Sequence, residues 1–384
     1  MLEKALGEDA IPAITTSIRQ RADEDRATAL LWRDGRAAEA IERKIAAGEF
    51  LLVAGGEKPV IERTANLWLE RRQANRDDPD YSLHVETKTN AEARAVSLAI
   101  RERQRVLGEL GPDLKEVQAF DGNTGERYAM QLGNGDKVRL FDRVYDANTP
   151  GRTRLLANNG EVVTVTGIVD IGMVVRNDFT GAEGTIAWRK LQQERGGPVR
   201  AAYGTAATLA TSQGATRTET IFSMPHGSTG IDGINAYVAD SRRIGRGYIV
   251  ASEGAERRQI TARRPIGTFE PIRQADVIRN IGENLSRQPQ KTNAMELLGQ
   301  AASFHRGALR DLQMGSEPGE RRRSHERDSH PLRHAHAYAL HRLDLSPAIE
   351  RVIEYARELG QRLVHRQEIE GPRHEQSRGL GLSR

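Results

Sequence analysis

Apolar positions over the first 110 residues switch between a helical period and short continuous runs. Residues 24–47 carry Ala27, Leu30, Leu31, Ala37, Ile41 and Ile45 near one face, which predicts one amphipathic helix stopped by Gly48. Phe50-Leu51-Leu52-Val53 is an unbroken apolar run of strand length. A helix is expected over 57–75 and a strand over 81–87. Thr89 and Glu92 then stand at capping-box spacing, so a hydroxyl and a carboxylate can satisfy each other's backbone donors. The helix they open is expected to reach Leu107, with Gly108 ending it. Strands that alternate with crossover helices predict an α/β fold built on a parallel sheet covered on both faces.

Near residue 118 the pattern changes. From there to 195 no useful helix period exists, and short β-branched runs take over at 137–145, 161–169, 173–176 and 185–188. Asn134-Gly135, Asn159-Gly160 and Thr180-Gly181 supply turns between them. These residues are expected to form a small antiparallel barrel or curled sheet. It reads as an insertion, because the α/β pattern is expected to resume at about Val199. Beyond it come the run 201–203, a small-residue helix, a strand at 218–222, a helix at 232–243 and a strand at 248–251. Past 256 the chain turns helical and polar. Residues 316–336 are charged and nearly free of large apolar groups, which predicts disorder. Ser346-Pro347 opens a last amphipathic helix with Ile349, Val352, Ile353, Ala356, Leu359 and Leu363 on one side. The domains expected are therefore 1–117, 118–195, 196–255 and a tail from 256 to 384.

Composition narrows the classes. Of 384 residues, 38% are hydrophobic, which suits a soluble chain, and only 5% are aromatic, so platforms for stacking bases are few. No run approaches the length needed to cross a bilayer, and the acidic N-terminus has no signal-peptide core, so a cytoplasmic protein is expected. The absence of cysteine excludes disulfides, thiolate zinc sites and thiol catalysis. Lysine stands at only eight positions, leaving 49 arginines among 57 basic residues in a chain of net charge +4. Guanidinium forks suit phosphate oxygens, but a GC-rich coding bias gives the same count, so charge alone does not establish nucleic-acid binding.

Chemistry concentrates in three segments. In YGTAATLATSQGAT (203–216), hydroxyls and a glycine follow an apolar run; at a helix entry such groups reach a phosphate through short side chains and backbone N–H. YVADSRR (237–243) places Arg242 at a helix end ahead of the run 247–250. Ile18-Arg19-Gln20 precedes the first long helix. Singly, these read as a turn, a surface arginine and a chance tripeptide.

In their order and spacing they resemble superfamily 1 helicases. The segment 203–216 resembles motif V, with Thr208, Ser212, Gln213 and Gly214 on its pattern. YVADSRR resembles motif VI, which puts Arg242 on the family's arginine finger for the γ-phosphate. Arg19 falls on the arginine of motif IV, a second finger, and Gln20 follows it. VETKTN (85–90) with AIR (99–101) resembles the strand–helix between those motifs, which implies that Thr87, Thr89, Asn90 and Arg101 face single-stranded DNA, together with Thr208 and Ser212. Gln20, Gln213 and Gly214 would couple the nucleotide to the strand. NGDKVR (134–139) and LANNGEVV (156–163) resemble the SH3-like barrel inserted in RecD-like helicases. The resemblance spans about 15–252 and is nearest to TrwC/TraI/TraA-like conjugative relaxases. Asp240 departs from it, standing where the family usually has an apolar residue.

The resemblance covers only the second RecA-like lobe. A phosphate loop needs a Gly-Lys pair, which this sequence lacks, and neither an acidic pair closing a strand nor a relaxase tyrosine with its histidine cluster is present. His334 and His336 in the tail read as part of a solvated polyionic linker rather than as metal ligands. The resemblance therefore implies ATP and Mg2+ only when a partner lobe completes the site, with none bound tightly by this chain alone; the partners it implies are single-stranded DNA and a separately encoded or missing first lobe and relaxase domain. A non-enzymatic single-strand-binding or scaffold module is the alternative.

Overall fold

The computed structural model describes residues 19–121, 124–148, 154–211 and 216–288. The tail expectations beyond 288, and Ser212, Gln213 and Gly214, lie outside the described residues. In chain order the elements begin with helices α1 (Asp23–Arg33) and α2 (Ala37–Ala46), strand β1 (Phe50–Val53), helix α3 (Glu57–Ala74), strand β2 (Leu83–Thr87) and helix α4 (Asn90–Val106). Strands β3 (Lys115–Phe120), β4 (Arg127–Leu132), β5 (Lys137–Leu140), β6 (Val144–Tyr145), β7 (Leu155–Ala157), β8 (Val162–Val169), β9 (Gly172–Asn177) and β10 (Glu183–Ala187) follow, then one helical turn, α5 (Trp188–Leu191). Strands β11 (Ala201–Tyr203), β12 (Ala206–Thr208) and β13 (Glu219–Met224), helix α6 (Gly233–Ser241), strand β14 (Gly247–Ser252) and helices α7 (Glu253–Arg263) and α8 (Gln274–Leu285) complete the described chain.

Two layers of helix enclose a five-stranded sheet in the order β1-β14-β13-β2-β12, every pair parallel. Strand alternation divides its side chains between two cores. Val85, Ile221, Tyr248 and Val250 meet Val60, Trp68, Val96 and Ile100 of α3 and α4. Phe222, Met224, Ile249 and Ala251 meet Trp32, Ile41, Val277 and Ile281 of α1, α2 and α8. Both central strands are buried along their whole length, the pattern of a sheet covered on both sides. Among the described residues no helix is long and apolar enough to cross a membrane.

The helix expected over 24–47 is two helices. Gly35 takes a φ of +74°, a left-handed conformation that ends α1, and Arg36 is the N-cap from which α2 starts. Periodicity survives the break because both helices face the same core. Thr89 and Glu92 do make the reciprocal capping box that opens α4.

Between α4 and β12 the chain forms an antiparallel sheet in the order β10-β9-β8-β5-β11, joined by the β3-β4 and β6-β7 ribbons around one apolar core. No ladder joins the edge strands β10 and β11 among the described residues. The parallel sheet does not resume at Val199: Ala201–Tyr203 pairs antiparallel with β5, and the return comes at Ala206. There the small-residue helix expected after Tyr203 is also corrected. Ala206, Ala207 and Thr208 lie parallel to Val85, Glu86 and Thr87, and the Ala206 amide donates to Ser97 Oγ of α4 at 3.1 Å. Alanine's helix propensity yields to a close strand–helix approach that only small side chains permit.

The seam between the inserted sheet and α4 is ionic. Arg101 donates to both oxygens of Asp136 at 2.6 and 2.8 Å and to Asp113 at 2.6 Å. Asp136 also accepts the Gly133 amide at 2.6 Å, which shapes the turn before β5. Gly135 is required there, with a φ of +97° and the Glu109 carbonyl 2.5 Å from where a Cβ would stand.

Candidate functional site

The first group of predicted residues gathers at the amino ends of β13 and β14. Arg217 and Thr218, just before β13, exchange backbone hydrogen bonds with residues 242–245, just before β14. Residues 19–21, ahead of α1, meet the 242–245 loop, where the Arg21 amide donates to the Ile244 carbonyl at 3.2 Å. Arg19 Nη1 reaches the Ser241 carbonyl at 3.5 Å, so Arg19 and Arg242 stand side by side. Gln20 is almost wholly buried, and its amide donates to the carbonyls of Ser241 and Arg243 at 3.2 and 3.0 Å. It satisfies acceptors that every helix leaves open at its C-terminus. Arg242 caps α6; burial lowers its pKa first and the neighbouring Arg19 lowers it further, against Glu86, which raises it. Arg242 Nε is buried with no hydrogen-bond partner among the described residues.

Beneath this pair lies a buried ion network that the motif comparison did not foresee. Asp240 takes Lys44 at 2.7 Å and Arg243 at 2.8 Å, Lys44 also meets Glu49 at 2.9 Å, and Arg243 meets Asp25 at 2.7 Å. Burial by itself would raise the Asp240 pKa, but Lys44 and Arg243 overrule it and hold the carboxyl at about 2. The departure at position 240 thus has a structural cause: Asp240 is the countercharge for two cations that are themselves 2% and 0% exposed on their side chains. A signal was present in the sequence. Lys44 continues the Ala37, Ala40, Ile41 stripe of α2, which places a lysine on the buried face.

The second group gathers at the carboxyl ends of β2 and β12, the opposite end of the sheet. Thr208 and Thr87 are register partners. Thr87 Oγ1 donates to the Thr89 carbonyl at 3.0 Å, Thr208 Oγ1 pairs with Thr211 Oγ1 at 2.7 Å, and Asn90 Nδ2 donates to Asp121 at 2.8 Å. Thr89 caps α4 and accepts the Glu92 amide at 3.2 Å. Lys88, between the two threonines, is a cation the sequence reading passed over; its Nζ donates to the Thr229 carbonyl at 3.0 Å. In open parallel sheets this end of the strands is where ligands bind. Arg101 does not join the group. It is buried at the seam with the inserted sheet, its donors directed at Asp136 and Asp113.

No protein-family profile matches the chain, and no curated protein matches it either. Among solved structures it aligns with a Pif1 helicase from Bacteroides bound to single-stranded DNA, at 16% identity over 61% of this chain and 50% of that one, with a TM-score of 0.37. The same enzyme with ADP-AlF3 and single-stranded DNA aligns at 16% identity over 62% and 50%, TM-score 0.35. A Pif1 helicase from Candida albicans aligns at 14% identity over 64% and 59%, TM-score 0.36. The chain spans about half the length of the Bacteroides structures. At TM-scores below one half these likenesses carry no functional argument for this chain. What the described residues define is a parallel α/β sheet with an inserted antiparallel module and two groups of polar residues at its opposite ends.

Proposed function

We propose that this chain is the second, RecA-like motor lobe of a superfamily 1 DNA helicase of the conjugative relaxase type, with an SH3-like inserted module. The observation that carries the reading is that Arg19, from the other end of the α/β region, reaches the Ser241 carbonyl at the end of α6, beside Arg242, which caps that helix. A guanidinium pair with an unsatisfied buried Nε suits an anion approaching from outside the lobe. ATP with Mg2+, bound between this lobe and a first lobe, would supply the phosphoryl group whose charge drives closure. In this chain Arg242 would neutralise that charge, Arg19 would hold the anion beside it, and Gln20 would fix the helix end that positions both. At the far end Thr87, Thr89, Asn90 and Thr208 would offer short polar groups to a strand, with Ser212, Gln213 and Gly214 next to them in sequence. β2 and β13 run between the two ends, so a tilt of the sheet would couple nucleotide to strand.

The second reading, a single-strand-binding or scaffold module without turnover, is favoured by Gln20 and Arg101, whose side-chain donors are engaged within the chain. One reconstitution separates the two. Mixed with a separately encoded first lobe that carries a phosphate loop, the chain should show ATP hydrolysis stimulated by single-stranded DNA. Arg242→Ala should then lower turnover at least ~100-fold, because an arginine finger is worth orders of magnitude in rate. Strand binding should hold within about twofold, since Arg242 is not at the strand-facing end. Turnover that survives the substitution rules out the finger. Strand binding with no turnover in any mixture leaves the scaffold reading.

A further inference from the structure

The parallel sheet is open beside the first half of β2. β12 pairs only with Val85, Glu86 and Thr87, so Leu83 and His84 have β13 on one side and no strand on the other. The inserted module faces this gap with β5. Alternation sends Val138 and Leu140 into the module's own core, which turns Lys137 and Arg139 the other way, toward the sheet edge. A cavity of about 500 Å3 results, walled by His84, Arg139 and Arg217, with Lys137, Trp68 and Phe179 around them.

The charges in this wall do not balance. Lys137 is matched by Asp178 at 2.6 Å. Glu161, the other acid present, accepts from the amides of Asn158 and Asn177 and not from a cation. Arg139 is only 6% exposed, yet its guanidinium has no hydrogen bond or ion pair among the described residues. His84 is 9% exposed with a buried Nε2 that has no partner among the described residues, where the Arg217 guanidinium donates only to the neighbouring Thr216 carbonyl. Burial and then Arg217 pull Arg139 down to about 10, while burial, Arg139 and Arg217 pull His84 down to about 3. A desolvated guanidinium is normally kept only beside a countercharge, and the described residues supply none here.

We propose that this cavity is a phosphate-binding site, with Arg139 and Arg217 as its cationic ligands and His84 as a further polar contact. An oxyanion would accept from both guanidinium groups and supply the missing countercharge. Two sources offer that chemistry: a polynucleotide backbone or a free phosphate. Phe179 favours the first, since it stands 91% exposed at the rim, where a base could stack on it. The inference needs neither ATP nor a second lobe, so it stands or falls apart from the motor reading.

The test uses the whole chain, with a labelled oligothymidylate followed by anisotropy and inorganic phosphate followed by calorimetry. Arg139→Met should weaken oligonucleotide binding about tenfold and lower the salt slope by about one, as loss of a single phosphate contact does. Phe179→Ala should weaken it severalfold. Arg139→Met should also raise the melting temperature, because it removes a buried charge that has no partner, whereas loss of a merely structural arginine lowers it. Arg217→Gln, at a half-buried position, repeats the binding test without disturbing the core. Loss of phosphate binding with oligonucleotide binding unchanged supports the site and assigns it to a free anion. If neither ligand's affinity responds to Arg139→Met and Arg217→Gln, the proposal is overturned, as it is if Arg139→Met lowers the melting temperature with binding intact.

Discussion

Asp240 shows how one buried carboxylate can outweigh a motif. Its folded pKa of about 2 lies below the ordinary aspartate value, so it contributes stability that is present above about pH 4 and is lost as pH falls toward 2. The size is on the order of 2 kcal/mol at neutral pH. Urea midpoints of the natural chain should therefore drop between pH 4 and 2 by more than those of Asp240→Asn. At pH 7 that variant should itself lose about 2 kcal/mol, because Lys44 and Arg243 lose the carboxylate they share and keep only Glu49 and Asp25. Equal stability of the two proteins at pH 7 would mean that the network is not formed. None of this could be read from the spacing Asp240-Ser241-Arg242-Arg243 alone. In sequence Arg242 and Arg243 are equivalent, and only packing against α1 and α2 directs Arg243 inward and leaves Arg242 at the helix end.

Elements were legible wherever their ends carried their own chemistry. The Thr89–Glu92 box and Gly108 delimit α4 locally, and Thr89→Ala should cost about 1 kcal/mol, measured as a lower denaturation midpoint. The break between α1 and α2 was missed because both helices bury the same face, so the hydrophobic period continues through it. Gly35 was the available signal. Gly35→Ala should destabilise by about 1–2 kcal/mol, the penalty for a side chain in the left-handed region; a variant of unchanged melting temperature would show that the two helices can fuse. The strand at Ala206–Thr208 was beyond local reasoning, since three small residues carry no strand signature until Ser97 and β2 lie beside them.

At the scale of the molecule, Arg101 ties the inserted sheet to the α/β region. It joins α4 to the turn that launches the inserted sheet through a bidentate pair with Asp136, and both partners are buried. Arg101→Met should destabilise by about 3–5 kcal/mol and speed proteolysis within 136–200, while Arg101→Met with Asp136→Leu should recover most of the loss, because the double change leaves no uncompensated charge. If the single variant stays stable and instead loses affinity for single-stranded DNA, the residue belongs with the strand-facing group that its motif implied.

The sequence by itself determined the local matters: the alternation of helices and strands, the β-rich run between them, the cap and stop of α4, and the lack of cysteine. Each depends on contacts within a few residues, so periodicity and composition record them. Tertiary structure decided the rest: where the insertion hands the chain back to the sheet, which arginines turn inward, and which polar groups share an end of the strands. Those outcomes depend on partners far along the chain. Whether a guanidinium such as that of Arg101, Arg139 or Arg242 has a carboxylate beside it, or none, is a property of the folded interior and is written in no single stretch of residues.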